Sequence, residues 1–190
     1  MLAIRPVILL GVGAQAERTV QGYMRLVSQR QGRVPALLPI LLQYAPHNPA
    51  HAQDQDQIHI LSLSAPVFDG PEDWPAWFPP EQKTLTDAER TRTRSWMRAA
   101  LLQRADDLQE FLLERVPQLI SFESVEELRE KELGLHGDSQ VEVYVIADLS
   151  DHLASGILVD LARLTAHVCR QLGRQASVTG LLYLPNSTSP

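Results

Sequence analysis

The chain has 190 residues, 44% of them hydrophobic and 21% charged, which suits one folded globular domain and excludes wholesale disorder. A formal charge of −6 argues against a protein whose main task is coating nucleic acid or an anionic membrane. Cys169 is the one cysteine, so an internal disulfide and a cysteine-built zinc site are excluded and a cytoplasmic setting is expected.

Residues 6–10 read as a buried first strand, and Gly11, Val12, Gly13 and Ala14 as a tight connection after it. Arg5, the apolar VILLGVG and the triplet Ala14, Gln15, Ala16 also mimic a secretory leader. The strand reading is preferred, because Ala16, Val20, Tyr23, Met24 and Val27 continue as an amphipathic helix that would otherwise lose its strand. It requires residues 7–10 to be buried. Gly32 closes that helix. Residues 34–44 carry Pro35 and Pro39 and read as a strand near a sheet edge, where a missing N–H is tolerated. Residues 58–63 are expected to be its hairpin or neighbouring strand. The longest apolar runs, 7–13 and 36–42, fall far below the roughly 18 residues that span a bilayer, so no membrane span is expected.

Residues 64–85 are rich in proline and include Trp74, Trp77 and Phe78. They read as a long connection pinned to the body of the domain by its rings, with a ligand lid or partner site as the alternative. Thr86 and Glu89 form a capping-box pattern at the start of a helix expected to run to about Val116, where Pro117 ends it. Arg90, Arg94 and Arg98 lie four apart on it, a row suited to receiving phosphate though such rows are commonly solvated faces. A shorter helix is expected from Ser124 to about Gly134. Residues 141–147 alternate as a buried strand, residues 148–156 form a loop, and Ile157, Leu161, Leu164, Val168 and Cys169 share the core stripe of a helix. Residues 177–184 make the last strand. The expected fold is an α/β three-layer sandwich with a mainly parallel, Rossmann-like sheet over residues 1–185, followed by a polar tail at 186–190. Both glycine-bearing loops, 11–14 and 148–156, should open at the carboxyl ends of the strands, where such sheets hold ligands.

The strand followed by GVGAQAE, the helix bearing Arg94 and Arg98, and VYVIADLSDHLASGILVDLARL followed by SVTGLLYLP together resemble the nucleotide-binding half of the tubulin and FtsZ superfamily, especially its bacterial tubulin-like members. The resemblance implies a Rossmann-like sheet of the tubulin nucleotide-binding type. It implies phosphate contacts from Gly11, Gly13, Ala14 and Gln15 in the first loop and from Asp148, Ser150, Asp151, His152, Ser155 and Gly156 in the second, with Arg94 and Arg98 facing the phosphates.

The departures fall on the chemistry. Where the family has GGTGSG this chain has Asp151, His152, Leu153, Ala154, Ser155 and Gly156, so only the last two match. Two unit charges about 4 Å apart repel by about 4 kcal/mol at an effective dielectric of 20, against about 1 kcal/mol for a hydrogen bond. Asp148 and Asp151 should therefore repel a nucleotide unless Mg²⁺ intervenes. The family's hydrolysis also relies on a later acidic loop, for which these residues offer no counterpart.

The expectation is a degenerate, non-catalytic tubulin-like domain, a pseudo-GTPase without cofactor or metal, serving as an interaction or scaffold subunit with a protein partner or in a homo- or hetero-oligomer. Two alternatives stand beside it. One is a GTP-binding domain, using GTP or GDP with Mg²⁺, whose hydrolysis needs residues from another chain. The other is an unrelated α/β enzyme or small-ligand binder using Asp148, Asp151 and His152. His47 and His51 lack a third ligand for a metal, and Asp54 and Asp56 lack the glycine and glutamate of a calcium loop.

Overall fold

The computed structural model describes residues 2–45, 53–55, 57–138 and 140–184. His47, His51 and Asp56 lie outside them.

The elements in chain order are β1 (Leu2–Ile4), β2 (Val7–Val12), α1 (Ala14–Gln31), β3 (Leu37–Tyr44), β4 (Gln53–Gln55), β5 (Ile58–Leu63), α2 (Asp87–Arg90), α3 (Arg94–Gln103), α4 (Ala105–Gln118), α5 (Phe122–Glu130), β6 (Leu133–Leu135), β7 (Gln140–Asp148), α6 (His152–Gln171) and β8 (Gln175–Tyr183). The main sheet has the order β4-β5-β3-β2-β7-β8. All its pairings are parallel except that of β4 with β5.

Alternation along the strands divides the core into two layers. Ile8, Leu10, Val12, Val143 and Val145 point to the face covered by α3, α4 and α6, where Leu101, Leu112, Ile157 and Leu161 meet them. Leu9, Leu41 and Ile146 point to the opposite face and pack against Ala16, Val20 and Met24 of α1. The apolar N-terminal run is thus a central strand, with Ile8, Leu9 and Leu10 buried. Cys169 is buried on the α6 stripe, and burial pushes its thiol pKa up.

Several expectations are corrected. β3 is interior, between β2 and β5, although it contains Pro39. Ala36 gives its carbonyl to the Val7 N–H on β2, so alternation turns the Pro39 nitrogen towards the other neighbour. There the ladder with β5 begins only at Ile40 opposite His59, and no ladder bond is lost. For residues 58–63 the expected alternative of a neighbouring strand holds: they lie parallel beside β3, and their antiparallel pairing is with β4.

The long helix from Thr86 is three helices. Glu89 does reach back to the Thr86 N–H at 2.9 Å, but the chain breaks after Arg90 and restarts where Thr93 accepts the Trp96 N–H. It breaks again at Arg104, and Pro117 sits inside the last turn of α4. α5 is capped by Ser121, whose hydroxyl accepts the Ser124 N–H at 3.2 Å. Ser124 lies in its first turn and donates to the Gln118 carbonyl. The short parallel pair β1 and β6 had no signal beyond three residues each.

The 64–85 connection is held down by rings. Phe68 stacks on Trp74 at 4.3 Å, and Phe78 and Trp96 close the cluster edge-on. Arg90 lies over both Trp74 and Trp96 and donates to the Lys83 carbonyl.

Candidate functional site

The parallel strands run β5-β3-β2-β7-β8, so the connections leave β2 and β7 in opposite directions. The crevice lies between those two strands, at their carboxyl ends. There the amino ends of α1 and α6 converge, each with amides that point outwards and a partial positive charge.

Gly13 begins α1 at φ +90°, a conformation that favours glycine, and its carbonyl accepts the Glu17 N–H. Gly11 serves packing, since a β-carbon there would stand 2.6 Å from Leu41 Cδ2 and 2.9 Å from Val20 Cγ2. Ala14 lines the crevice, while Gln15 gives its carbonyl to the Thr19 hydroxyl one turn on.

The second loop satisfies itself. The Ser150 N–H and hydroxyl both donate to Asp148 Oδ1, at 3.0 and 2.6 Å. The Asp151 N–H donates to the Asp148 carbonyl, and the Leu149 N–H to the Tyr183 carbonyl. Asp151 then caps α6: its Oδ1 accepts the Leu153 N–H at 2.7 Å, and its carbonyl takes the Ser155 N–H. The other carboxylate oxygen of Asp151 lies about 3.0 Å from where a β-carbon of Gly13 would stand. One carboxylate therefore occupies the space between the two helix starts, doing for α6 what a bound anion would do. The amides of Leu149, Ser150, Asp151, Leu153 and Ser155 all have partners within the chain.

Beside Asp151 is a cavity of about 290 Å³ with Gly13, Ala14, Glu17, Tyr44, Asp151 and His152 in its wall. Its described lining contains Glu17 and Asp151 but no lysine or arginine. His152 is exposed at the rim, and the Ser155 hydroxyl turns back to the His152 carbonyl. Gly156 belongs to the contact between helices, since a β-carbon there would stand 2.6 Å from the Arg94 carbonyl oxygen and 3.0 Å from Met97 Cβ. Arg98 donates to Asp160 of α6 at 2.6 Å and lies over Trp77 at 4.7 Å. Arg94 is exposed at the start of α3 and does not line the cavity.

The structure thus brings Gly11, Gly13, Ala14, Asp151 and His152 to one cavity and leaves Gln15, Asp148, Ser150, Ser155, Gly156, Arg94 and Arg98 outside its lining. Glu17 and Tyr44 were missed as wall residues. Glu17 could have been found one helical turn after Gly13, and Tyr44 at the carboxyl end of its strand. Asp148 and Asp151 each accept local hydrogen bonds through Oδ1, and the described residues contain no group of three His, Cys, Asp or Glu able to hold a metal ion.

Strand order and crevice define an α/β protein of the Rossmann-like class with its site at the switch point of the sheet. A family model described as tubulin like matches residues 50–190, and the chain belongs to that family. The match includes the loop at Asp148 to Gly156 but not the first loop. Searches of curated proteins and of solved structures find no match. Among the described residues, no helix is long and apolar enough to cross a membrane.

Proposed function

We propose that this tubulin-like chain is a non-catalytic interaction or scaffold subunit, a pseudo-GTPase that has replaced the nucleotide's phosphates with its own carboxylate. The observation that carries this reading is Asp151, which caps α6 and abuts Gly13 at the point where the phosphates of a nucleotide would meet both helix starts. The acidic wall supports it, because Glu17 and Asp151 both repel a polyanion and no described lining cation offsets them.

The chief alternative is a GTP-binding domain whose hydrolysis depends on another chain. It is favoured by the positive φ of Gly13 and by the open cavity beside Asp151. An enzyme built on Asp148, Asp151 and His152 has less support, because both carboxylates are tied to their own loop.

A nucleotide titration decides between the first two. The wild-type chain should show no rise in melting temperature with excess GTP and Mg²⁺, whereas a ligand at a hundredfold excess over its Kd stabilises by about 3 kcal/mol. A clear shift would establish the GTP-binding reading. Repeating the titration with Asp151→Gly and Leu153→Thr asks whether removing the carboxylate and the bulky side chain restores binding.

A further inference from the structure

A second cavity, of about 600 Å³, lies at the amino ends of β3 and β5, the opposite end of the sheet from the crevice. Three stretches of chain enclose it. Gly32 ends α1 at φ +67° and residues 33–36 turn into β3, Gln57 leads into β5, and α4 gives way to α5 across residues 119–121. The volume is that of a small-molecule site. Leu38 and Leu119, each 4% exposed, give the wall an apolar part.

Two arginines in the same wall lack counter-ions. Among the described residues neither Arg33 nor Arg115 has an ion-pair partner. Arg33 is exposed. Arg115 is more constrained: its Nε is closed to solvent and has no hydrogen-bond acceptor, and its Nη1 reaches Gln118 Oε1 only at 3.4 Å. The group lies 5.7 Å over the ring of Phe111, which His59 meets edge-on. A guanidinium keeps its charge at any working pH and carries five donors in a planar fork, so losing a proton does not relieve it. A donor left unmade on a buried charged group destabilises more than an ordinary hydrogen bond stabilises. An oxyanion towards which the Nε–Nη edge turns removes that penalty, and two acceptor oxygens match the fork.

The charge of the wall selects the class of anion. Lys131 neutralises Glu127 at 3.0 Å, which leaves Arg33 and Arg115 against Glu123, an excess of one positive charge with histidine counted as neutral. A carboxylate matches that excess, whereas a phosphate ester or nucleotide sets further negative charge beside Glu123. We propose that this cavity binds an apolar carboxylic acid, its carboxylate on Arg115 with Arg33 as the second cation and its hydrocarbon body against Leu38 and Leu119. The acid is either a free small molecule or the C-terminal carboxylate of a peptide. The proposal is independent of what the crevice holds.

The test is a thermal-shift and NMR titration of the 190-residue protein with phenylacetate, N-acetylphenylalanine, phenylacetamide and phenyl phosphate at millimolar concentration. Both carboxylates should raise the melting temperature and move the amide signals of residues 33–38 and 115–124. Tighter binding of phenylacetate assigns a free acid, and tighter binding of N-acetylphenylalanine assigns a peptide terminus. Phenylacetamide should have no effect, and phenyl phosphate should bind about tenfold or more weakly than the carboxylates. Arg115→Met keeps the stem and removes the unpaired donor, so the free protein should melt at the same or a higher temperature while the response to both carboxylates is lost. A residue serving only to hold α4 in place would instead lower the melting temperature when replaced. Arg33→Ala should weaken both carboxylates about tenfold, Glu123→Gln should tighten them, and Arg129→Ala, outside the cavity on α5, should bind as wild type does. No response of wild type to either carboxylate would overturn the proposal, as would equal binding of phenylacetamide, a preference for phenyl phosphate, or a carboxylate response that survives Arg115→Met. A response to GTP in the crevice would survive that substitution, so this test and the nucleotide titration fail separately.

Discussion

Asp151 has two separable properties, its hydrogen bond to the helix start and its charge. Asparagine keeps the bond and loses the charge, whereas alanine loses both. Asp151→Ala should therefore lower stability by about 1 kcal/mol, and Asp151→Asn should leave it nearly unchanged, as read from urea midpoints at equal slope. If asparagine costs as much as alanine, the charge and not the cap is what α6 needs. Arg5 supplies the clearest pH dependence. It donates to Asp138 at 2.8 Å and to Glu142 at 3.1 Å, tying the segment after β6 to the start of β7. The Arg5 hydrogen bond holds the Asp138 carboxyl below the usual aspartate range, and Arg5 itself is raised in turn. A depressed carboxylate pKa contributes stability that is present above the unfolded value and lost as pH falls through the folded one. Wild type should thus lose more stability on acidification below about pH 4 than Asp138→Asn does, the two curves converging at the acid end.

At the scale of elements, the contact between α3 and α6 explains a glycine that the sequence alone suggests is for ligand. Gly156 lets the α3 backbone approach, and the Arg98–Asp160 ion pair lies one turn further along the same two helices. Gly156→Ala must push the helices apart, because the obstructing atom is a backbone oxygen. Gly→Ala within a helix would otherwise stabilise by about 1 kcal/mol, so a net loss of about 1–3 kcal/mol in thermal or urea unfolding would confirm the close approach. A gain would show that α3 is free to move. The arginine row was visible at four-residue spacing, but its use was not. Arg90 goes to the tryptophans of the long connection and Arg98 to Asp160, partners separated in sequence and brought close only by packing.

Across the whole molecule, β2 and β7 at the centre of the sheet create the crevice, because the connections that follow them leave in opposite directions. Much of this architecture is legible in the residues. A buried apolar run at residues 6–10 and alternation at 141–147 marked the central strands, the apolar stripe of Ile157, Leu161 and Val168 marked α6, and the order of strands and helices implied a mainly parallel sheet. Local pattern suffices there because burial on one face imposes a period of two or of 3.6 residues. Pro39 misled as an edge signal because its tolerance depends on where the ladder with the neighbouring strand begins, which is a register property. The breaks at Arg90 and Arg104 were hidden because apolar spacing continues through them.

The sequence by itself determined the main strands and helices, the tubulin-like resemblance and the replacement of loop glycines by Asp151, His152, Leu153 and Ala154. Only the tertiary structure decided that Asp151 turns inward to cap α6 against Gly13, that Gly156 belongs to a helix contact, and that β3 lies inside the sheet in spite of Pro39. The reason is that composition and period are properties of neighbours along the chain, whereas the direction of a carboxylate and the place of a strand in its sheet depend on residues far away in sequence that folding brings within a few ångströms.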